Sequence, residues 1–296
     1  MDFLSVDFAV SGVHVSAFVP PLVAMVVSFF MSMAGLSGAF LLLPFQMSAL
    51  GYTSPSVSAT NFVFNIVAIP SGVYRYMREG RMFWPVAIVT MIGTLPGVFI
   101  GYYVRVTWLP DPARFKFFVG CVLLYLAIRM LMEVIGKGKA RDAVSGPLNL
   151  KVTSTGATRI HFSFAGAEYS FGTLPLLALS FAVGIVGGTY GIGGGAIISP
   201  FLVAVMGLPV YAVAGASLFG TLITSVVGVF FYSVIPSAYN TTPDWPLGLL
   251  FGAGGVVGMY LGARSQKHVP QRIIKAMLFL VLAGLALKYT LGGFIN

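Results

Sequence analysis

Two glycine-rich breaks, Gly35-Leu-Ser-Gly38 and Gly191-Ile-Gly-Gly-Gly195, interrupt long uncharged stretches of the chain. A helix that restarts after such a break presents backbone N–H groups with no intrahelical acceptor. Its N-terminus carries roughly half a positive charge, so it can hold an anion without lysine or arginine. Glycine suits the turn because it reaches positive φ and lets an oxyanion approach the backbone. The residues expected to supply these contacts are Gly35, Ser37 and Gly38 in the first break, and Gly191, Gly193, Gly194 and Gly195 in the second. Side-chain donors stand on the helices that follow. Asn61 and Asn65 are four apart and share a helix face, while Ser217 and Thr221 occupy the equivalent places further on, with Thr224 and Ser225 a turn beyond. Ser, Thr and Asn also join helices to one another in membranes. That is the weightier reading for each hydroxyl taken singly, and substrate contact is the expectation for the asparagine pair.

The stretches that hold these residues belong to a membrane. Of 296 residues 57% are hydrophobic and 8% charged, at a mean hydropathy of +0.93, whereas soluble domains carry about 25% charged residues. No Asp, Glu, Lys or Arg occurs from Phe8 to Tyr74 or from Tyr169 to Pro243. Both runs far exceed the ~20 apolar residues that span a bilayer. The net charge of +9 comes from short basic clusters between apolar segments. These fit membrane topology and leave no patch for nucleic acid. Asp2 and Asp7, with no basic residue beside them, do not read as a cleavable signal peptide. A single cysteine, Cys121, argues against a disulfide framework or a metal site, and no cofactor motif is present. Neither core stretch carries a His, Asp, Glu or Arg apart from His14, so the nucleophile–base pair an intramembrane enzyme needs is missing there. His14, His161 and His268 are expected at the surface.

The chain repeats itself. Residues 35–76 align without a gap on 191–232, with nine identities: Gly35/Gly191, Gly38/Gly194, Pro44/Pro200, Phe45/Phe201, Gly51/Gly207, Val57/Val213, Gly72/Gly228, Val73/Val229 and Tyr76/Tyr232. The register then shifts and resumes with Trp84-Pro85 on Trp245-Pro246, and Gly93, Gly97 and Gly101 fall on Gly254, Gly258 and Gly262. Those ladders have the small-xxx-small spacing of close helix packing. The expected fold is therefore an all-α polytopic membrane protein of about 8–10 membrane segments, with a first repeat over 1–135, a connector over 136–172 and a second repeat over 173–296. Expected helices run to about 18–34, 54–77, 82–104 and 113–135, then 174–190, 210–233, 245–264 and 271–291, with a short segment after each break. The connector alternates (Leu148, Leu150, Val152, then Ile160, Phe162, Phe164) around Thr155-Gly156, which predicts a small cytoplasmic β-hairpin.

Basic residues set the orientation. If the two segments around each break return to their starting side, each half crosses an odd number of times and the halves are inverted. With the N-terminus outside, 13 of the 17 Lys and Arg then face the cytoplasm, leaving Arg105, Arg114, Lys116 and Lys288 outside. Parallel halves give only ten inside, so the excess of inward positive charge favours inversion. Inverted repeats with interrupted helices are the plan of many secondary transporters, whose sites lie where the broken helices meet.

The run Gly191-Ile-Gly-Gly-Gly-Ala-Ile-Ile-Ser-Pro-Phe-Leu, followed by Gly207-Leu-Pro and Ala214-Gly-Ala-Ser217, resembles the glycine motif of the TauE/SafE sulfite-exporter family of permeases. The degenerate copy Gly35-Leu-Ser-Gly-Ala-Phe-Leu-Leu-Leu-Pro-Phe and the late Trp-Pro of each half fit the same pattern, and the resemblance covers the chain outside the connector. It departs at Ser37 and Ala39, where the second copy has Gly193 and Gly195. The resemblance implies a multi-pass protein of the cell inner membrane that carries sulfite, sulfoacetate or another small sulfonate, usually outward. A passive anion channel and, behind it, an intramembrane enzyme are the competing readings. The expected partners are a small anion and the lipid bilayer, not nucleic acid, and the sequence leaves homo-oligomerisation open.

Overall fold

A computed structural model describes residues 5–135, 150–156, 158–164, 167–204, 210–269 and 271–292. Among the described residues ten α-helices carry the architecture: α1 (Val19–Met33), α2 (Ala39–Ser48), α3 (Ser56–Arg78), α4 (Trp84–Tyr103), α5 (Pro112–Ile135), α6 (Thr173–Tyr190), α7 (Gly194–Ala204), α8 (Val210–Val234), α9 (Trp245–Ser265) and α10 (Gln271–Gly292). A π-helical turn, Val104–Trp108, closes α4. Among the described residues six helices are long and apolar enough to cross a bilayer: α3, α4 with its π turn, α5, α6, α8 and α9. At 15 residues, α1 rises about 22 Å, less than the ~30 Å of a hydrocarbon core.

The sequence explains where these helices stop. Pro20 and Pro21 open α1, and Pro85 and Pro246 open α4 and α9, each in the first turn where no amide bond is lost. Asp244 caps α9 by accepting from the Leu247 amide at 3.2 Å. Gly35 and Gly191 end α1 and α6 at φ of 70° and 89°, the left-handed conformation that favours glycine.

Packing treats the two halves alike. α4 packs on α6 as α9 packs on α1, and α8 packs on α4 as α3 packs on α9, while α3 meets α8 and α5 meets α10. Close approaches give the directions. Gly93 lies against Leu177 and Ser180, and Gly101 against Ile185 and Thr189, so α4 and α6 run the same way. Gly254, Gly258 and Gly262 lie against Pro21, Met25 and Phe29, so α9 runs with α1. Gly248 lies against Val63 and Gly252 against Val67, which sets α3 parallel to α9. Trp84–Phe219 and Phe99–Phe231 ring contacts set α4 parallel to α8. α3 and α8 oppose each other, with Phe62 at Gly228 and Gly72 near Leu218. Hence α1, α3 and α9 point one way and α4, α6 and α8 the other.

Small sheets sit at the two ends of the bundle. At one end β1 (Ser5–Phe8) and β2 (Val13–Ser16) form an antiparallel hairpin turning at Gly12, which the sequence reading did not anticipate. The Ser11 amide donates to Asp244 Oδ2 at 3.0 Å, tying the hairpin to the start of α9. Beside it the Tyr52 hydroxyl donates to Ser56 and lies 2.9 Å from Thr60 Oγ1. Burial pushes that phenol up to about 12, so it remains a neutral donor. At the other end the connector forms three antiparallel strands, β3 (Leu150–Thr155), β4 (Arg159–Phe164) and β5 (Ala167–Gly172), where the sequence predicts two. Phe162 and Phe171 of this sheet pack on Phe83 before α4. Leu148, expected in the hairpin, lies outside the described residues.

Candidate functional site

The two breaks come together where α3 crosses α8. Asn61, fully buried, donates through Nδ2 to the Ala39 carbonyl just past the first break (3.0 Å) and to the Gly191 carbonyl in the second (3.1 Å). Its Oδ1 accepts from Gln46 Nε2 at 3.3 Å. Asn65, one turn on and equally buried, donates to the Ile192 carbonyl (3.2 Å) and to Ser225 Oγ (3.1 Å), and accepts from Ser37 Oγ. Both amide groups are thus fully engaged: they fasten each break to α3 and, through it, to the other half.

The second break is held the same way from α8. Thr224 Oγ1 accepts from the Gly194 amide at 3.2 Å. A Cβ at Gly195 would stand 2.1 Å from the Ser217 carbonyl oxygen and 2.8 Å from Thr221 Oγ1, and one at Gly193 2.7 Å from the Thr221 methyl. Only glycine permits that approach. The same crowding recurs across the halves: a Cβ at Gly35 would meet Ala214 at 2.6 Å and one at Gly191 the Ser58 carbonyl at 2.5 Å, Ser58 and Ala214 being counterparts in the repeat alignment. Each break is therefore wedged against the long helix of the opposite half. Tyr76 donates to the Ser32 carbonyl (3.2 Å) and its counterpart Tyr232 to the Gly188 carbonyl (3.0 Å), fixing the helices that lead into the breaks.

The structure thus brings all the expected residues into one region: Gly35, Ser37, Gly38, Asn61 and Asn65 from the first half meet Gly191, Gly193, Gly194, Gly195, Ser217 and Thr221 from the second. Their roles differ. Thr221, Thr224 and Ser225 donate to helix carbonyls one turn back, so their protons are spent locally. Ser217 Oγ, Ser28 Oγ and Thr90 Oγ1 are buried with no partner among the described residues; the Ser28 hydroxyl stands beside Gly38, whereas it is the Ser217 carbonyl that meets Gly195. These hydroxyls are donors that the local structure leaves over, and that of Ser28 borders the first break.

Two cations escaped the sequence reading, which counted them only toward topology. Arg81 and Arg105 are both fully buried. At the sheet end Arg81 pairs with Glu79, donates through Nη1 to Gln266 Oε1 (3.0 Å), and lies 4.8 Å from the Tyr76 ring centroid. Gln266 Nε2 in turn donates to the Met33 carbonyl at 2.8 Å, beside the first break. Arg105 sits at the hairpin end in the π turn, a distortion frequent at functional sites.

Comparison with known proteins now decides the family. The family described as Sulfite exporter TauE/SafE matches residues 21–289. The chain belongs to the TauE/SafE family. That span takes in both glycine breaks, α3 to α9 and nearly all of α10, so the family match covers both halves. A similar protein is the "Probable membrane transporter protein YunE" of Bacillus subtilis (strain 168), 24% identical over 264 residues that make up 85% of this chain and 89% of that protein. No solved structure matches the chain. As a TauE/SafE protein with six candidate spans, this is a membrane protein, and its family and relative assign it to membrane transport.

Proposed function

We propose that the chain is a secondary transporter that exports a small sulfur-containing anion, such as sulfite, sulfoacetate or another organosulfonate, across the cell inner membrane. The observation that carries this reading is the meeting of two glycine breaks from opposite halves, each wedged against the other half's long helix, with the spare Ser28 hydroxyl bordering the first. The Gly35, Leu36, Gly191, Ile192, Gly193 and Gly194 amides already have acceptors. The donors proposed for the anion are therefore the remaining break amides and the spare hydroxyls, which with no described carboxylate beside them favour an anion over a cation. The family description supplies the sulfur chemistry.

The halves are proposed to be inverted across the bilayer. The opposed directions of α1 and α6, of α3 and α8, and of α4 and α9 support this, since each pair is a pair of repeat counterparts. With α1 and α2 leading out from and back to the hairpin end, α3, α4 and α5 then supply three crossings in the first half. Rocking of one half on the other at the α3–α8 crossing would expose the site to either side in turn.

Purified protein should be warmed with sulfite, sulfate, thiosulfate, sulfoacetate and their carboxylate analogues. A ligand that binds only the folded state raises the melting temperature by mass action. Sulfite or a sulfonate is expected to give the largest rise, and a response to carboxylates alone would overturn the substrate class. Counterflow in proteoliposomes, with and without a proton gradient, separates a coupled carrier from a channel. Flux that saturates and exchanges is expected, whereas unsaturating flux indifferent to the gradient would make the protein a channel.

A further inference from the structure

Arg105 is a buried cation with no counter-ion among the described residues. Its Nη1 donates to the Leu109 carbonyl and its Cζ stands 3.7 Å from the Phe115 ring centroid, which fixes the plane of the guanidinium. Nε and Nη2 are buried and have no hydrogen-bond partner among the described residues. No described carboxylate lies within ion-pairing distance, the described pairs being His14–Asp7, Arg75–Glu79 and Arg81–Glu79. Nε and Nη2 form one edge of the guanidinium, the fork that grips two oxygens of a planar or tetrahedral oxoanion with parallel donors. Leaving such an edge dry and unpaired is costly, and solvation by a ligand relieves that cost.

Its place in the fold says which ligand. The π turn that carries Arg105 packs on α6, the helix that ends at the second glycine break. The Thr189 hydroxyl, one residue short of the end of α6, donates to the Gly101 carbonyl in the last turn of α4 (3.1 Å). In the register set by Trp84-Pro85 and Trp245-Pro246, the counterpart of Arg105 is Gln266. Gln266 stands at the sheet end in the matching position beside the first break, but it is neutral, and both its amide atoms are bonded to Arg81, Tyr76 and Met33. The buried cation beside it, Arg81, pairs with Glu79, a carboxylate it shares with Arg75. The two counterpart positions of one pseudo-symmetric frame therefore differ: the sheet end holds the neutral, fully bonded Gln266, and the hairpin end an arginine whose Nε–Nη2 edge has no partner among the described residues.

We propose that Arg105 is an oxoanion-binding residue at the hairpin-end mouth, taking the transported anion two-pronged through Nε and Nη2 next to the second glycine break. This deepens the reading of the chain as an anion carrier and rests on it. It adds a charged waystation to a central site built from uncharged donors, and it makes binding from the two sides unequal.

The test is a melting-temperature titration of the full-length protein with sulfite, nitrate and inorganic phosphate at constant ionic strength, with chloride as the reference. Wild type, Arg105→Gln and Arg105→Lys are compared. Sulfite is expected to stabilise wild type. Arg105→Gln should need about tenfold or more sulfite for the same rise, since a charge-assisted pair is lost. Arg105→Lys keeps the charge and can still reach the Leu109 carbonyl, yet lacks the fork, and should fall between the two. If the glutamine variant does not fold, the lysine variant carries the test. A purely structural arginine would lower the melting temperature of the variants without changing their response to sulfite, and that result overturns the proposal. Stabilisation by nitrate or phosphate but not sulfite, lost on Arg105→Gln, would keep the arginine site and overturn the sulfur-anion reading. A wild type that no oxoanion stabilises beyond chloride overturns the arginine site as well.

Discussion

Asn65 shows how one side chain can tie the two breaks together. Its amide and carbonyl satisfy Ile192, Ser225 and Ser37, so Asn65→Leu strands a buried carbonyl and a buried hydroxyl together. Each orphaned group costs about 1–3 kcal/mol. The variant should therefore melt lower as well as lose transport. Lost transport at an unchanged melting temperature would mean instead that Asn65 meets the anion directly in another conformation. Ser217→Ala is expected to behave in the opposite way. Its hydroxyl has no partner among the described residues, so stability should hold while anion affinity falls about tenfold; unchanged affinity would remove Ser217 from the site. The importance of the asparagine pair was legible because two amides on one face of an uncharged helix stand out. Their hydrogen-bond partners were not, because carbonyls such as Gly191 and Ile192 belong to a break more than a hundred residues away. Arg81 and Arg105 were illegible for a related reason: a basic residue next to a predicted loop looks like a topology signal, and only folding shows that it is buried.

At the scale of elements, glycine carried most of the information. The ladder Gly93/Gly97/Gly101 lets α4 lie on α6 at backbone distance: a Cβ at Gly97 would stand 2.4 Å from the Phe181 carbonyl oxygen. Gly258 does the same for α9 on α1, at 2.2 Å from the Met25 carbonyl oxygen. Gly97→Leu and Gly258→Leu should thus each lower the yield of folded, detergent-stable protein, read by fluorescence size-exclusion chromatography, by forcing apart helices whose association depends on close approach. Normal yield with lost transport would make the ladders part of the moving machinery. Where helices begin, break and end was readable for the same reason, since Gly and Pro punctuate an otherwise uniform apolar sequence. The strands were harder to read. β5 is a run of six residues, Ala-Glu-Tyr-Ser-Phe-Gly, that abuts α6 without a polar loop, although its Tyr169 and Phe171 alternate as a strand should. The hairpin of β1 and β2 carries only four residues on each side of its turn at Gly12, too few for periodicity to register.

At the scale of the whole molecule, the arrangement ties chain direction to charge. The sheet end gathers Arg75, Arg78 and Arg81, the connector strands with Arg159, and Arg264 at the end of α9, whereas the hairpin end holds Asp7, Asp111 and Asp244 against Arg105, Arg114 and Lys116. Positive charge is retained on the cytoplasmic side, so the sheet end should face the cytoplasm and the hairpin end the outside. Single cysteines can decide this once Cys121, which is exposed on α5, has been changed to serine. Gly156→Cys lies in the turn between β3 and β4, and Asn240→Cys in the exposed loop between α8 and α9. In intact spheroplasts a membrane-impermeant maleimide should label Asn240→Cys and spare Gly156→Cys until the membrane is opened. The reverse pattern would turn the molecule over and place the Arg105 mouth in the cytoplasm, converting the proposed waystation from an exit into an entry for export. Labelling of both from outside would break the link between the two ends of the bundle and the two faces of the membrane, and with it the inverted arrangement on which alternating access depends.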